Sequence, residues 1–285
     1  MRVTLNGTLG SGKSTVGREL ARRLGVHYIS TGQIFRELGH ISNPDVLQTN
    51  LEAESNSALD EAVDNKVRAL NEAQTDFVID SRMAWHFIEN ALHVFLSVAP
   101  ATAAQRVIQD RSRLNEQYAS VEAALDALRA RRNSELRRYK RLYSVDIEDP
   151  ANYDLSVLTD DAQVSDVVDV IMRRVEGATK EATWIPKTRL VPMVPPAATN
   201  ENSGSSGPVR LRVHLAENFG FYFDDPALLL RVLKNGPALV PFEHVSRDDH
   251  DAIGNALSKL KSADLSRWQA VSGVSLAFTN RLKAD

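Results

Sequence analysis

An α/β domain built on a parallel sheet is the fold class this sequence predicts, and three observations predict it. Short apolar strand-like runs alternate with helix-like runs through residues 1–177. A glycine-rich loop joins the first strand-like run to the first helix-like run. The run Leu92–Val98 is mostly apolar, as a strand buried on both faces requires.

The elements follow in order. Val3–Asn6 reads as a short buried strand. Lys13–Leu24 reads as a helix because Val16, Leu20 and Leu24 recur every fourth residue, and Gly25 supplies its stop. His27–Ser30 is a second strand, and a polar helical stretch runs from about Pro44 to Asn71. Phe77–Asp80 is a third strand that ends in a carboxylate, and Leu92–Val98 is the fourth. Helices are expected at Ala101–Asp110 and Val121–Leu142, a fifth strand at Leu155–Leu158, and a closing helix at Val164–Val175.

Composition changes after that point. Pro186, Pro192, Pro195, Pro196 and Pro208 cluster around a Gly/Ser-rich run at 203–207. Residues 178–208 therefore read as a linker, semi-rigid and then flexible; a long surface loop is the other reading. Residues 209–285 read as a small α+β domain. Its expected elements are a strand at Val209–Leu215 and helices at Asp225–Lys234, Ser246–Lys261 and Leu265–Leu282, the last interrupted by Gly273. Trp268 and Phe278 read as core. A protein-interaction module and a nucleic-acid-binding appendage would both suit this domain, and it carries no motif that decides.

The 285 residues suit one or two domains, and 43% apolar content supports a sizeable core. A net charge of −3 gives no general attraction to nucleic acid or to a membrane surface. With no cysteine, disulfide partners and thiolate metal sites are excluded. No apolar run is long enough to span a bilayer, and no leader-like pattern opens the sequence, so a cytoplasmic protein is expected.

The chemistry-bearing signal is Gly7-Thr8-Leu9-Gly10-Ser11-Gly12-Lys13-Ser14, which fits G-x-x-x-x-G-K-S between a strand and a helix. Glycines let backbone N–H groups turn inward around a phosphate, and the helix N-terminus adds partial positive charge. Gly7, Gly10, Ser11, Gly12, Lys13, Ser14 and Thr15 are the expected triphosphate-binding residues. Lys13 can reach the β- and γ-phosphates, and the Ser14 hydroxyl can ligate Mg²⁺. Two further boxes, Thr31-Gly32-Gln33-Ile34-Phe35-Arg36 and Asp80-Ser81-Arg82, each place an arginine just past a strand end. Strand carboxyl ends border the ligand crevice of a parallel sheet, so Arg36 and Arg82 suit a second phosphate. Arg131, Glu135 and Arg138 stand at i, i+4 and i+7 and share one helix face. That cationic stretch suits a lid over a transferring phosphoryl group; a solvated face or an RNA-binding patch would have the same composition.

With these residues in order, the sequence resembles the cytidylate kinase family of nucleoside monophosphate kinases, in its short, archaeal-like form. The likeness rests on Gly7–Ser14, Thr31 to Arg36, Asp80-x-Arg82, and Arg131–Asp154, and it spans residues 1–177. It implies a P-loop three-layer α/β/α domain whose five-stranded parallel sheet has the order 2-3-1-4-5, with Asp80 beside the loop. It implies ATP and Mg²⁺ on the donor side and CMP or dCMP as acceptor. Thr31, Arg36, Asp80, Arg82, Glu135 and Arg138 would contact the acceptor. Asp80 would also reach the metal through water. Lys13, Arg82, Arg131 and Arg138 would serve catalysis by neutralising charge, and Arg106 and Arg111 would open the lid region. Ser81 replaces the family's glycine, Glu135 its commoner aspartate, and Trp85 stands where it would narrow a pocket. Those departures keep two alternatives open: a P-loop kinase for another small acceptor, such as AMP, a sugar or shikimate, and an ATP-binding switch whose C-terminal domain contacts a partner.

Overall fold

The computed structural model describes residues 1–38, 57–73, 75–110, 118–179, 183–193, 211–216, 219–222, 226–244 and 262–278. The chain divides into two compact units. The first is Met1–Val157 with Val167–Ala178, and the second is Leu158–Asp166 with Thr179–Asp285.

In the first unit, β1 (Arg2–Gly7), β2 (His27–Ser30), β3 (Phe77–Asp80), β4 (Leu92–Ser97) and β5 (Leu155–Leu158) lie in the order β2-β3-β1-β4-β5. The helices are α1 (Lys13–Leu24), α2 (Thr31–Leu38), α3 (Ser57–Glu72), α4 (Ala84–Phe87), α5 (Pro100–Gln109), α6 (Val121–Tyr143) and α7 (Val164–Val175). The pairings β1–β3, β1–β4 and β2–β3 are parallel, with Leu5 opposite Asp80, Gly7 opposite Leu96, and Ser30 opposite Asp80. That register brings the carboxyl ends of β1, β2 and β3 to the same end of the sheet. Val3, Leu5, Ile79, Val94, Leu96 and Leu155 are fully buried, and each such side chain contributes roughly 1.5–3 kcal/mol.

The helix ends follow from local chemistry. Gly12 has φ +85° at the start of α1, and Gly25 ends it with φ +68° and an N–H bonded to the Ala21 carbonyl. Ser120 caps α6 by accepting from the Ala123 N–H. α6 carries an apolar stripe at Ala124 and Leu128, but farther along it buries Glu135 and Arg138 instead. A surface helix that turns charge inward marks a site.

The second unit holds β6 (Thr183–Pro186), β7 (Leu190–Pro192), β8 (Leu211–Ala216), β9 (Phe219–Tyr222), α8 (Pro226–Asn235), β10 (Leu239–His244) and α9 (Ser262–Ser272). Its strands run β6-β10-β8-β9-β7, with antiparallel β6–β10 and β8–β9 and parallel β8–β10 and β7–β9. Trp268, Leu229, Leu233, Ile185, Leu190 and Phe278 belong to its core. Arg189 ties Asp160 and Asp161 and lies over the Phe219 ring.

The structure departs from the sequence expectations in several places. Residues 183–193, read as the start of a linker, contain two strands. Their prolines stand at strand ends, Pro186 closing β6 and Pro192 closing β7, and the next N–H in each case still bonds across, Lys187 to the Ala238 carbonyl and Met193 to the Tyr222 carbonyl. Leu158–Asp166, which takes in the last residue of β5 and the first turn of α7, belongs with the second unit. The expected long helix 265–282 ends at Ser272, because Gly273 adopts φ +71°. Helices α2 and α4 were not among the expected elements; α2 packs Ile34, Phe35 and Leu38 on the core, and α4 is a single turn. The expected helix 246–261, the linker's 194–208 and the start of the 44–71 helical stretch lie outside the described residues.

Candidate active site

The site is assembled at the carboxyl end of the first unit's sheet. A Cβ at Gly7 would overlap the Leu96 carbonyl oxygen, and that carbonyl already accepts from the Thr8 N–H. Glycine is therefore required where β1 meets the loop. Gly12 needs its left-handed φ for the chain to enter α1 from the loop. The loop and the first turn of α1 form a cradle of backbone N–H groups. Gly10 packs on Ala103 of α5, and Arg106 from α5 donates to the Gly10 carbonyl at 3.3 Å. Ser11 is buried, and Thr15 sits exposed on the first turn of α1.

Lys13 Nζ donates to the carbonyls of Gly7 and Thr8 at 3.0 and 3.1 Å, curled over its own loop. Burial, and then the Arg82 guanidinium, push its ammonium down to about 7. The Ser14 hydroxyl donates to Asp80 Oδ2 at 2.6 Å, and the Tyr28 hydroxyl donates to the same oxygen at 3.3 Å. Sequence reasoning passed over Tyr28; its ring packs against Gly17 of α1. The Thr31 hydroxyl donates to the Asp80 carbonyl at 3.2 Å, locking the end of β2 to the end of β3.

Ser14 and Asp80 thus present two oxygens side by side on the floor of the cradle. A small hard cation that keeps several waters and takes phosphate oxygens fits such a sparse donor set. The residues present fit Mg²⁺ held with a triphosphate. Among the described residues, no cluster of three or more His, Asp or Glu would hold a metal by itself.

Arg82 and Arg131 converge on one carboxylate. Arg82 Nε lies 2.9 Å from Glu135 Oε2, and Arg131 Nε lies 3.0 Å from Glu135 Oε1. Arg82 Nη1 also donates to the Gly7 carbonyl. Burial alone would raise Glu135, but Arg82 and then Arg131 outweigh it and hold the carboxyl down to about 2. Arg138 is buried on the same helix face, with Nη2 donating to the Tyr139 hydroxyl at 3.1 Å and Nε 3.7 Å from Asp60. The i, i+4, i+7 reading of α6 therefore places all three side chains together. Arg36 belongs to α2 by its backbone, its side chain lies outside the described set, and so does Arg111.

Ser81 explains its own departure from glycine. Its hydroxyl accepts from the N–H groups of Met83 and Ala84, starting α4 and fixing the turn that carries Arg82. Trp85 does not narrow a pocket in the way the sequence suggested. Its indole N–H donates to the Arg82 carbonyl at 3.0 Å, and its ring packs on Tyr153, so it backs the arginine from behind.

The arrangement pairs a glycine-rich loop and its lysine with the Ser14–Asp80 oxygens and with one buried and two partly buried arginines. The family model described as the cytidylate kinase-like family matches residues 2–161, more than half of the chain. The chain belongs to that family. The cytidylate kinase of Thermoplasma acidophilum is 30% identical over 188 residues, covering 66% of this chain and 98% of that protein. The cytidylate kinase of Natronomonas pharaonis is 36% identical over 161 residues, covering 56% and 81%. Among solved structures, a shikimate kinase from Bacteroides thetaiotaomicron overlays with a TM-score of 0.44 at 19% identity, over 62% of this chain and 98% of that one. This cytidylate kinase-like chain is a nucleotide-binding phosphotransferase of the nucleoside monophosphate kinase type. Among the described residues, no helix is long and apolar enough to cross a membrane.

Proposed function

We propose that this enzyme transfers the γ-phosphoryl group of ATP–Mg²⁺ to CMP or dCMP. The observation that carries the proposal is the convergence of Lys13, the Ser14–Asp80 pair and the Arg82–Glu135–Arg131 cluster. Lys13 and Arg82 meet at the Gly7 carbonyl, so cationic groups suited to donor and acceptor phosphates stand side by side, which supports phosphoryl transfer between nucleotides. The names of the archaeal relatives supply the base.

In this reading the backbone of Gly7–Ser14 wraps the donor phosphates, and Lys13 leaves its two carbonyls to bridge the β- and γ-phosphates. Ser14 and Asp80 would hold Mg²⁺, which would supply charge neutralisation at the phosphate oxygens. Arg82, Arg138 and Arg36 hold the acceptor phosphate, with Thr31 at the edge of that site. Arg131 and Arg82 neutralise the moving phosphoryl group. Glu135 keeps the two arginines aligned while no phosphate is present. The acceptor phosphate is already an anionic nucleophile, so no general base is needed, and catalysis is positioning and charge neutralisation.

The test is ADP release from ATP–Mg²⁺ with CMP, dCMP, UMP, AMP and GMP in parallel. Turnover fastest with CMP or dCMP is expected. ATP binding without turnover of any monophosphate would overturn the proposal and favour a nucleotide-controlled switch.

A further inference from the structure

Asn6 stands immediately before the glycine-rich loop, and it is 2% exposed. Burying an amide is costly unless its polar atoms are met by partners. Here both ends of the amide are met. Its Oδ1 accepts from the Gly7 N–H at 2.7 Å. Its Nδ2 donates to the Ile147 carbonyl at 3.0 Å and to the Tyr153 hydroxyl, which donates in turn to the same carbonyl. Chemistry fixes which way the amide faces, since a backbone N–H only donates and a carbonyl only accepts.

These bonds act where the loop leaves the sheet. Gly7 has no side chain to set the direction of the chain, so hydrogen bonds on either side of it do. The Gly7 N–H is held by Asn6, and the Thr8 N–H by the Leu96 carbonyl at 2.9 Å. The Gly7 carbonyl, fixed between them, is the acceptor that Lys13 Nζ and Arg82 Nη1 share. The other end of the network reaches Arg82 from behind. The Tyr153 ring packs on Phe95 at 4.9 Å and on Trp85 at 5.7 Å, and the Trp85 indole donates to the Arg82 carbonyl. Asn6, Gly7, Arg82, Glu135 and Ile147 are all among the walls of one small cavity.

We propose that Asn6 is a positioning residue for phosphoryl transfer: with Tyr153, it holds the loop that carries Lys13 in register with the turn that carries Arg82. The proposal rests on the nucleoside monophosphate kinase reading. The amide is engaged by protein at both ends, so it acts through Gly7 and Arg82 rather than on a phosphate. Transfer between two phosphates depends on that register, because a misplacement of about 1 Å costs on the order of a hundredfold in rate. Thr4 supplies the comparison. It lies two residues earlier on the same face of β1, it is buried as deeply, and its hydroxyl bonds His93 Nδ1 at 2.9 Å. Its loss removes a buried hydrogen bond from the same strand without touching the loop.

The experiment is steady-state kinetics on the full chain, with ATP–Mg²⁺ and the monophosphate that the wild type uses fastest. Wild type is compared with Asn6→Leu, Tyr153→Phe and Thr4→Val. Leucine fills the volume of asparagine without its bonds, and phenylalanine keeps the ring contacts of Tyr153 without its hydroxyl. In Asn6→Leu kcat should fall about tenfold to a hundredfold, and in Tyr153→Phe about threefold or more, with KM for ATP within about threefold of wild type in both. Thr4→Val should keep the wild-type kcat. If Asn6→Leu fails to fold, Tyr153→Phe decides, and an unchanged kcat there overturns the proposal. A loss confined to KM, or a Thr4→Val variant that loses as much kcat as Asn6→Leu, also overturns it, because Asn6 would then serve only the strand. An active wild type with equally active variants removes the positioning role and leaves the kinase reading standing. A wild type that turns over no monophosphate overturns both.

Discussion

Replacing Glu135 by glutamine removes the one carboxylate that Arg82 and Arg131 share and leaves both guanidinium groups facing a neutral amide. The Glu135 side chain is 7% exposed, so water cannot take over its role. Its carboxyl sits at about 2 against an ordinary 4.5. At about 1.4 kcal/mol per pH unit, its charged form contributes about 3 kcal/mol to the folded state. Breaking a buried ion pair by removing one partner costs a similar amount, roughly 3–5 kcal/mol. The folded value lies below the unfolded one. The contribution is therefore complete above about pH 4.5 and lost as pH falls through about 2. Urea unfolding of wild type and Glu135→Gln at pH 7 and pH 5.5 is the assay. Both proteins carry the same second unit, so the difference between them reports on the first. A gap of about 3 kcal/mol, equal at both pH values, is expected. A gap under about 1 kcal/mol, or one already smaller at pH 5.5, would refute the reasoning.

Three further outcomes follow from the site. Lys13→Ala should lower kcat by about a thousandfold or more while far-UV circular dichroism stays unchanged, because among the described residues Nζ bonds only two carbonyls of its own loop. Lys13 sits near 7 in the free protein and must be charged against phosphates. ATP binding at pH 8 should therefore take up close to one proton, read by calorimetry in buffers of differing ionisation enthalpy, and a buffer-independent enthalpy would contradict this. Ser81→Ala removes the acceptor for two N–H groups and should destabilise by about 1 kcal/mol, with a severalfold loss in kcat/KM as Arg82 loosens. Gly7→Ala should not yield a native first unit, because its methyl group would overlap the Leu96 carbonyl; a stable variant with normal ATP affinity would show that the strand end can yield.

Much of the first unit was legible because its signals are local. The glycine loop, its lysine and the following amphipathic helix are contiguous, so one window of sequence contains both the motif and its context. The place of Arg82 was legible for a related reason: it lies just after a strand, at the carboxyl end of the sheet. The i, i+4, i+7 spacing of Arg131, Glu135 and Arg138 likewise needs only helical geometry. The strands at Thr183–Pro186 and Leu190–Pro192 were not legible. Proline reads as a break in isolation, and only the neighbouring strands show that these prolines stand at strand ends. Trp85 and Ser81 read as oddities until their hydrogen bonds to the Arg82 turn were in view.

The class of chemistry was legible in the order of residues alone. A backbone cradle, a lysine and a hydroxyl for a cation are adjacent along the chain, and adjacency survives without a fold. Tertiary structure alone decided which distant groups share a space. Asp80 meets Ser14 across 66 positions, Asp64 meets Tyr143 across 79, and Glu135 meets Arg82. Those pairings set the Ser14–Asp80 contact, the charge balance at Glu135 and the meeting of α3 with α6. They depend on strand register and on the packing of α3 against α6, and no periodicity in a single segment encodes either.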